Sequence, residues 1–348
     1  MSISTLSCPL PITEYKNVLL AHGGGGKLTH QLIQKMFLPR FNNPLLEPLH
    51  DGAIIDVKAG RLAFSTDSYV VNPIFFPGGN IGDLAINGTV NDLAMCGARP
   101  LYLSVGFIIE EGFPLEELWS VVCSMELAAK AAGVTVVTGD TKVVEHGKGD
   151  KLFINTSGIG VVGNNVNIHP SRIRVGDKII LNGTIGDHGI AILSKREGLE
   201  FESPILSDTA PLNGIVSEIL DITDQIHTMR DPTRGGIAST MNEIAEQSNK
   251  GIVLYEDSIP VTEEVRGACE IFGFDPLYIA NEGKFIAIVS PEEAEKVLAV
   301  MQTHPLGINA AIIGEVVPGH PGSVVLKTRI GSSRIVDMIS GEQLPRIC

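Results

Sequence analysis

Acidic side chains spaced so that they could gather at one place in a fold are the first sign of chemistry in this chain. Asp83, Asn87 and Asn91 recur at i, i+4 and i+8, with Asp92 beside the last, among the apolar residues Leu84, Ala85, Ile86, Val90, Leu93 and Ala94. On a helix this spacing draws one stripe of carboxylate and amide. The plain alternative is a solvated face with Asp83 as helix cap, although such a face usually mixes Lys and Glu, and the stripe has neither. Asp67 closes RLAFSTD, Asp140 precedes Thr141 and Lys142 after VTVVTG, and Asp231 follows IHTMR, so each stands where an apolar run stops. Strand ends present ligand-binding groups in α/β sheets. Taken singly each Asp also reads as a turn or cap residue, but together they suggest oxygen-rich Mg2+ sites that carry phosphates.

Three further segments bear on the same chemistry. Gly23 to Gly26 followed by Lys27 resemble a phosphate cradle, yet a Walker A loop is excluded by Ala21 and Leu28, and a Rossmann turn by Leu28 in place of the third Gly. What survives is a run of free backbone N–H groups and one ammonium able to meet an anion, or else a plain flexible linker. DPLYIANEGKF sets Asn281, Glu282 and Lys284 between two strand-like runs, where a carboxylate and an amine could move a proton or simply form a hairpin turn. Cys348 is the last residue, in a patternless tail of eight, GEQLPRIC. Eight residues reach about 25 Å, so the thiol can visit a site elsewhere on the molecule.

The elements that must position these groups follow from periodicity. Strands are expected at 52–57, 61–66, 101–109, 134–138 and 152–162, with helices at 83–96 and 115–132. A short helix from Lys27 ends at Pro39. The Asn/Pro/Gly-rich stretch 163–176 reads as a linker. Beyond it, strands near 178–182, 226–230, 252–256, 277–280, 284–289, 311–316 and 323–328 alternate with helices near 187–197, 210–220, 235–248, 262–272 and 291–302. This predicts an α/β (α+β) protein of two domains, as 348 residues also suggest. The divisions expected are 1–45 (glycine-rich segment and short helix), 46–165 (ATP-binding and dimerisation), 166–340 (second α/β domain) and 341–348 (mobile tail).

Composition narrows the partners. A formal charge of −14 without a basic run opposes binding to nucleic acid or to an anionic membrane. There is no stretch of about 18 apolar residues and no signal-peptide plan, so a cytoplasmic location is expected. The five cysteines form no CxxC pair, which argues against a disulfide framework or zinc cluster.

Read as a set, GGGGK, STDSYVVNPIFFPGGNIGDLAINGTVNDLAMCGARP, VTGDTKVV, DPTRGG, NEGK and the terminal PRIC resemble the HypE family of hydrogenase maturation proteins. The family belongs with aminoimidazole ribonucleotide synthetase and selenophosphate synthetase, and the terminal Pro-Arg-Ile-Cys is its own mark. The resemblance implies a homodimer whose N-terminal domains build a shared barrel, with ATP and Mg2+ near the interface. It implies that a carbamoyltransferase, HypF, loads a carboxamide onto Cys348, that ATP drives its dehydration to a thiocyanate, and that the cyano group passes to iron on a HypC–HypD scaffold. Asp67, Asp83, Asp92 and Asp231 then match metal-site acids, and Gly25, Gly26, Lys27, Asn91, Asp140 and Thr141 match nucleotide contacts. Lys142 and Glu282 match groups beside the tail cysteine, Glu282 as base and Lys142 as stabiliser of charge on the amide oxygen or phosphate. Two alternatives stay open: a selenophosphate synthetase-like enzyme, against which only Cys8 lies upstream of the glycines, and a non-catalytic metallochaperone using Cys348.

Overall fold

The computed structural model describes residues 10–23, 27–46, 60–198 and 205–338. Gly25, Gly26, Cys348 and the expected strand at 52–57 therefore lie outside the described residues.

In the first half, α1 (Lys27–Leu32) passes through a π-helical turn (Ile33–Phe37) into α2 (Leu38–Phe41). The helix does not stop at Pro39 as expected: Pro39 falls in the first turn of α2, where a missing N–H is tolerated. Next come β1 (Arg61–Tyr69), β2 (Phe75–Phe76), β3 (Gly79–Asn80), α3 (Ile81–Met95), β4 (Ala98–Glu110), α4 (Leu115–Ala132), β5 (Thr135–Val144) and β6 (Leu152–Val162). The sheet order is β1-β6-β4-β5, with β4 and β5 parallel and the other pairs antiparallel. Two expectations about strand ends change here. β5 runs on to Val144 because the long β4 offers it partners, Gly106 opposite Asp140 and Ile108 opposite Lys142. Asp67 likewise sits inside β1, opposite Thr156.

The second half holds β7 (Lys178–Leu181), α5 (Asp187–Glu197), α6 (Asn213–Ile222), β8 (Ile226–Arg230), α7 (Gly236–Ser248), β9 (Gly251–Tyr255), α8 (Glu263–Phe272), β10 (Ile286–Val289), α9 (Ala294–Thr303), β11 (Ala311–Val317), β12 (Val324–Lys327) and β13 (Ser333–Val336). Its seven-stranded sheet runs β13-β12-β9-β11-β7-β10-β8, and β12–β9 is its one parallel pair among the described residues. The strand expected at 277–280 is instead a 3-10 turn, Pro276–Tyr278: Asp275 accepts from the Leu277 N–H at 3.0 Å and Pro276 opens the turn. Asn281–Lys284 is thus a loop feeding β10, and the hairpin reading fails. β13 was not anticipated.

α3 joins the halves. All its residues except Asp83 and Asp92 are buried, Asn87 and Asn91 included, so it has no solvated face. Its first turns pack in the core of the first half, whereas Ala94 and Met95 join Ile180, Leu212, Phe285 and Ala287 in a core of the second. Its start is fixed by a capping box. Asn80 Oδ1 accepts from Gly82 N–H at 2.8 Å, and Asp83 Oδ1 accepts from Asn80 N–H at 2.7 Å. Asn80→Ala should lower unfolding free energy by about 1 kcal/mol, measured by urea titration with unchanged slope; unaltered stability would show that the box contributes nothing.

Candidate active site

Three elements bring carboxylates within electrostatic reach of one another. Asp67 points from β1 toward α3, on the face that carries the buried Ala63 and Tyr69, and Tyr69 Oη donates to its Oδ2 at 3.2 Å. Asp92, from the last turn of α3, accepts from Ser65 Oγ at 2.6 Å. Asp231 follows β8 on the way to α7. Burial pushes the Asp92 carboxyl up to about 6; the Ser65 bond opposes that rise and the charge of Asp67 adds to it. Asp231 is pushed up to about 7 by burial and then by the charge of Asp92. Arg230 tempers both, but its guanidinium is already bonded to Glu243 at 2.7 Å.

Glu282 completes the group. Its side chain is buried, and Oε1 has no hydrogen-bond partner among the described residues. Burial holds its carboxyl well above the usual range, and the charges of Asp208, Asp231, Asp67 and Asp92 push the same way. The loop reaches this position because Gly236, at the start of α7, has no side chain: a Cβ there would lie 2.5 Å from Leu277 O and 2.6 Å from Ile279 O. Asn281 ties the loop down, accepting from Gly186 N–H at 2.8 Å and donating to Pro232 O at 3.0 Å.

The donors are oxygen only, the set that suits Mg2+. Buried like charges with one shared cation are the condition a divalent ion relieves, and an orphaned Glu282 Oε1 points the same way. No group of three His, Cys, Asp or Glu among the described residues is already drawn together as a cage; the acids sense one another through their fields. Of the acids expected to hold a metal, Asp67, Asp92 and Asp231 are the ones whose charges act on one another. Asp83 stands apart: burial lifts it to about 6, against bonds from the N–H groups of Asn80, Asp83 and Leu84, with no cluster acid contributing.

A second locus lies at the opposite edge of the same four-stranded sheet. A cavity of about 290 Å³ opens between α1, α2 and the β4–β5 pair, with an apolar wall of Ile33, Phe37, Phe41, Val105 and Phe107. Thr29, Asp140 and Thr141 are at its polar side. The mixture suits a flat apolar ring with polar attachments. Lys142 is exposed beside it, 3.5 Å from Asp140, and does not figure among the charges acting on Glu282. Lys27 opens α1.

Asn91 has a different occupation from the nucleotide contact expected. Its Nδ2 donates to Ala210 O and Glu282 O, both at 3.1 Å, and its Oδ1 accepts from Leu212 N–H at 2.8 Å. Sequence reading missed Asp208, which lies in a loop without a motif, and offered the amine of Lys284 for proton transfer, whereas it is bonded to Asp208 at 2.9 Å.

Comparison with known proteins agrees with this layout. The family model of the AIR synthase related protein N-terminal domain matches residues 49–162, and that of its C-terminal domain residues 174–327. A carbamoyl dehydratase HypE of Azotobacter vinelandii is 54% identical over 332 residues, 95% of this chain and 97% of that protein. A crystal structure of the hydrogenase maturation protein HypE in complex with ATP superposes with a TM-score of 0.92 at 51% identity, covering 95% of this chain and 99% of that one. A HypE–HypF complex superposes with a TM-score of 0.78 at 48% identity, covering 88% and 99%. No helix among the described residues is long and apolar enough to cross a membrane.

The raised carboxyls set a pH dependence. Asp92 and Asp231 hold protons in the fold that they lose when unfolded, so their stabilisation is complete below about pH 4 and is withdrawn as pH rises toward about 7. Asp231→Asn should therefore melt higher than the unaltered chain at about pH 8, with the gap closing toward about pH 4. Mg2+ should narrow the alkaline gap by raising the unaltered chain alone. A gap independent of pH would contradict the assignment.

Proposed function

The chain belongs to the AIR synthase related family and, within it, to the HypE carbamoyl dehydratases, and from that premise we propose that it converts an S-carboxamide on Cys348 into a thiocyanate at the expense of ATP. It is an ATP-dependent dehydratase of hydrogenase maturation. The finer chemistry is our reading of the residues.

An amide oxygen leaves poorly, so it must first be phosphorylated. The carboxamide oxygen attacks the γ-phosphorus of ATP, the O–P bond forms, ADP departs, and one N–H proton is given up. The C–O bond then breaks, phosphate leaves, the second N–H proton is removed and the C≡N bond is complete. Both proton losses need a base, and Glu282 carries this assignment. It is buried, its Oε1 is unpartnered among the described residues, and its proton affinity is raised toward that of the groups it must serve. Mg2+ would be held by Asp67, Asp92 and Asp231 and would supply charge neutralisation for the transferring phosphoryl group. The apolar cavity beside Asp140 and Thr141 fits the base of the nucleotide, with Gly25, Gly26 and Lys27 as the covering segment. Lys142 lies at the other sheet edge from Glu282, so its exposed ammonium would stabilise charge on the amide oxygen where a second copy of the chain brings its own Lys142 beside the amide.

A homodimer is part of this reading. Among the described residues β1 and β5 are the outer strands of the sheet, and its outer face exposes Leu62, Phe64 and Ile108. A second copy laid against that face would close a shared barrel. HypF is the expected source of the carboxamide, supported by the HypE–HypF complex, and a HypC–HypD iron scaffold is the proposed acceptor of the product.

The test is intact mass. Loaded with a carboxamide by HypF and carbamoyl phosphate, the chain should lose the mass of one water from Cys348 when given Mg-ATP, and Cys348→Ala should never load. Glu282→Gln should load normally, bind ATP normally and dehydrate about 10²- to 10⁴-fold more slowly. Dehydration at the full rate in this variant would remove Glu282 from the reaction.

A further inference from the structure

Glu282 is held by its main chain from both sides. Its N–H donates to Asp208 Oδ1 at 3.0 Å, and its C=O accepts from Asn91 Nδ2 at 3.1 Å. The next residue has no room to move: a Cβ on Gly283 would lie 1.7 Å from Asp208 O. With both polar backbone groups fixed, only the side-chain torsions of Glu282 remain free to aim its carboxyl.

Asp208 is itself anchored. Its Oδ2 accepts from Lys284 Nζ at 2.9 Å, and the two side chains are only 5% and 12% exposed. Lys284 begins its own bond two residues beyond Glu282, so the pair closes a short loop around the Glu282–Gly283 peptide. Although burial disfavours its charge, Asp208 stays below the ordinary carboxylate range because Lys284 and His188 outweigh that effect. A buried ion pair of this kind gains little stability over two well-packed apolar residues. Its presence beside the base calls for another role.

We propose that Asp208, anchored by Lys284, is the positioning residue that fixes Glu282 over the carboxylate cluster. The inference rests on the reading of Glu282 as the base. Asp208 touches neither nucleotide nor amide in this scheme; it acts by holding the loop so that the unpartnered oxygen of Glu282 meets the N–H it must deprotonate.

Stability and positioning separate in a pair of variants assayed on the carboxamide-loaded full-length chain. Asp208→Leu removes the acceptor of the Glu282 N–H, leaves Lys284 buried without its counter-charge and should melt lower. Asp208→Leu combined with Lys284→Met removes both charges and should recover much of that melting temperature. In both variants, kcat for dehydration should fall about 10- to 100-fold, the usual cost of losing a group that orients a reacting one, while KM for ATP stays unchanged. Lys284→Arg keeps the pair and should retain most of the activity. A kcat that recovers with melting temperature in the double variant would overturn the proposal, leaving the pair as a structural tie. If the unaltered loaded chain does not lose water with Mg-ATP, the reading of Glu282 falls first and the inference falls with it.

Discussion

Carboxyl groups that face one another away from bulk water are the constraint on which this structure turns. Asp92, Asp231 and Glu282 all keep their protons to higher pH than free side chains do, through burial first, with the charge of Asp67 adding to it at Asp92, that of Asp92 at Asp231 and that of Asp208 at Glu282. Folding this chain therefore assembles a site in a poor electrostatic state. Such a site is costly unless an incoming cation uses it. The same field that makes the cluster unfavourable alone raises the basicity of Glu282, so under the proposed function one arrangement would serve both phosphoryl transfer and proton removal.

Much of the rest of the fold exists to hold those acids together. α3 is buried on every side and shared by two cores, which fixes Asp92 relative to β1 on one side and to the β8–α7 turn on the other. Asn91, one residue earlier, clasps Glu282 and the 210–212 segment. The joint between the two halves and the active-site frame are thus the same set of contacts. A change that loosened the halves would misplace Glu282 before it unfolded either core.

Most of the scaffold was legible because its signals are local. The helix at 115–132 was bounded by Pro114 and Gly133, and the strands at 152–162 and 226–230 by their own periodicity, and these bounds recur in the structure. The acids on α3 were legible as a stripe; that the stripe is buried was not, since burial of Asn87 and Asn91 depends on bonds to residues 119 or more positions away. Strand ends misled for a similar reason: β5 continues past Asp140 only because β4 is long enough to pair with it. The 3-10 turn at Pro276 was readable from Asp275-Pro276 and was passed over in favour of an apolar run. Asp208 had no local signal at all. Its role exists only through Lys284 and the Glu282 main chain, 76 and 74 residues away.

The most direct test of this account is the proton balance of nucleotide binding. Mg-ATP titrated calorimetrically into the chain at mildly acidic pH, in two buffers of different ionisation heat, reports how many protons binding releases. If a cation settles among Asp67, Asp92 and Asp231, the carboxyls held up at about 6 and about 7 must give up their protons. The account predicts net proton release that is smaller when Asp231 is replaced by Asn and fades as pH rises above about 7. Equal heats in the two buffers, or proton uptake, would contradict it.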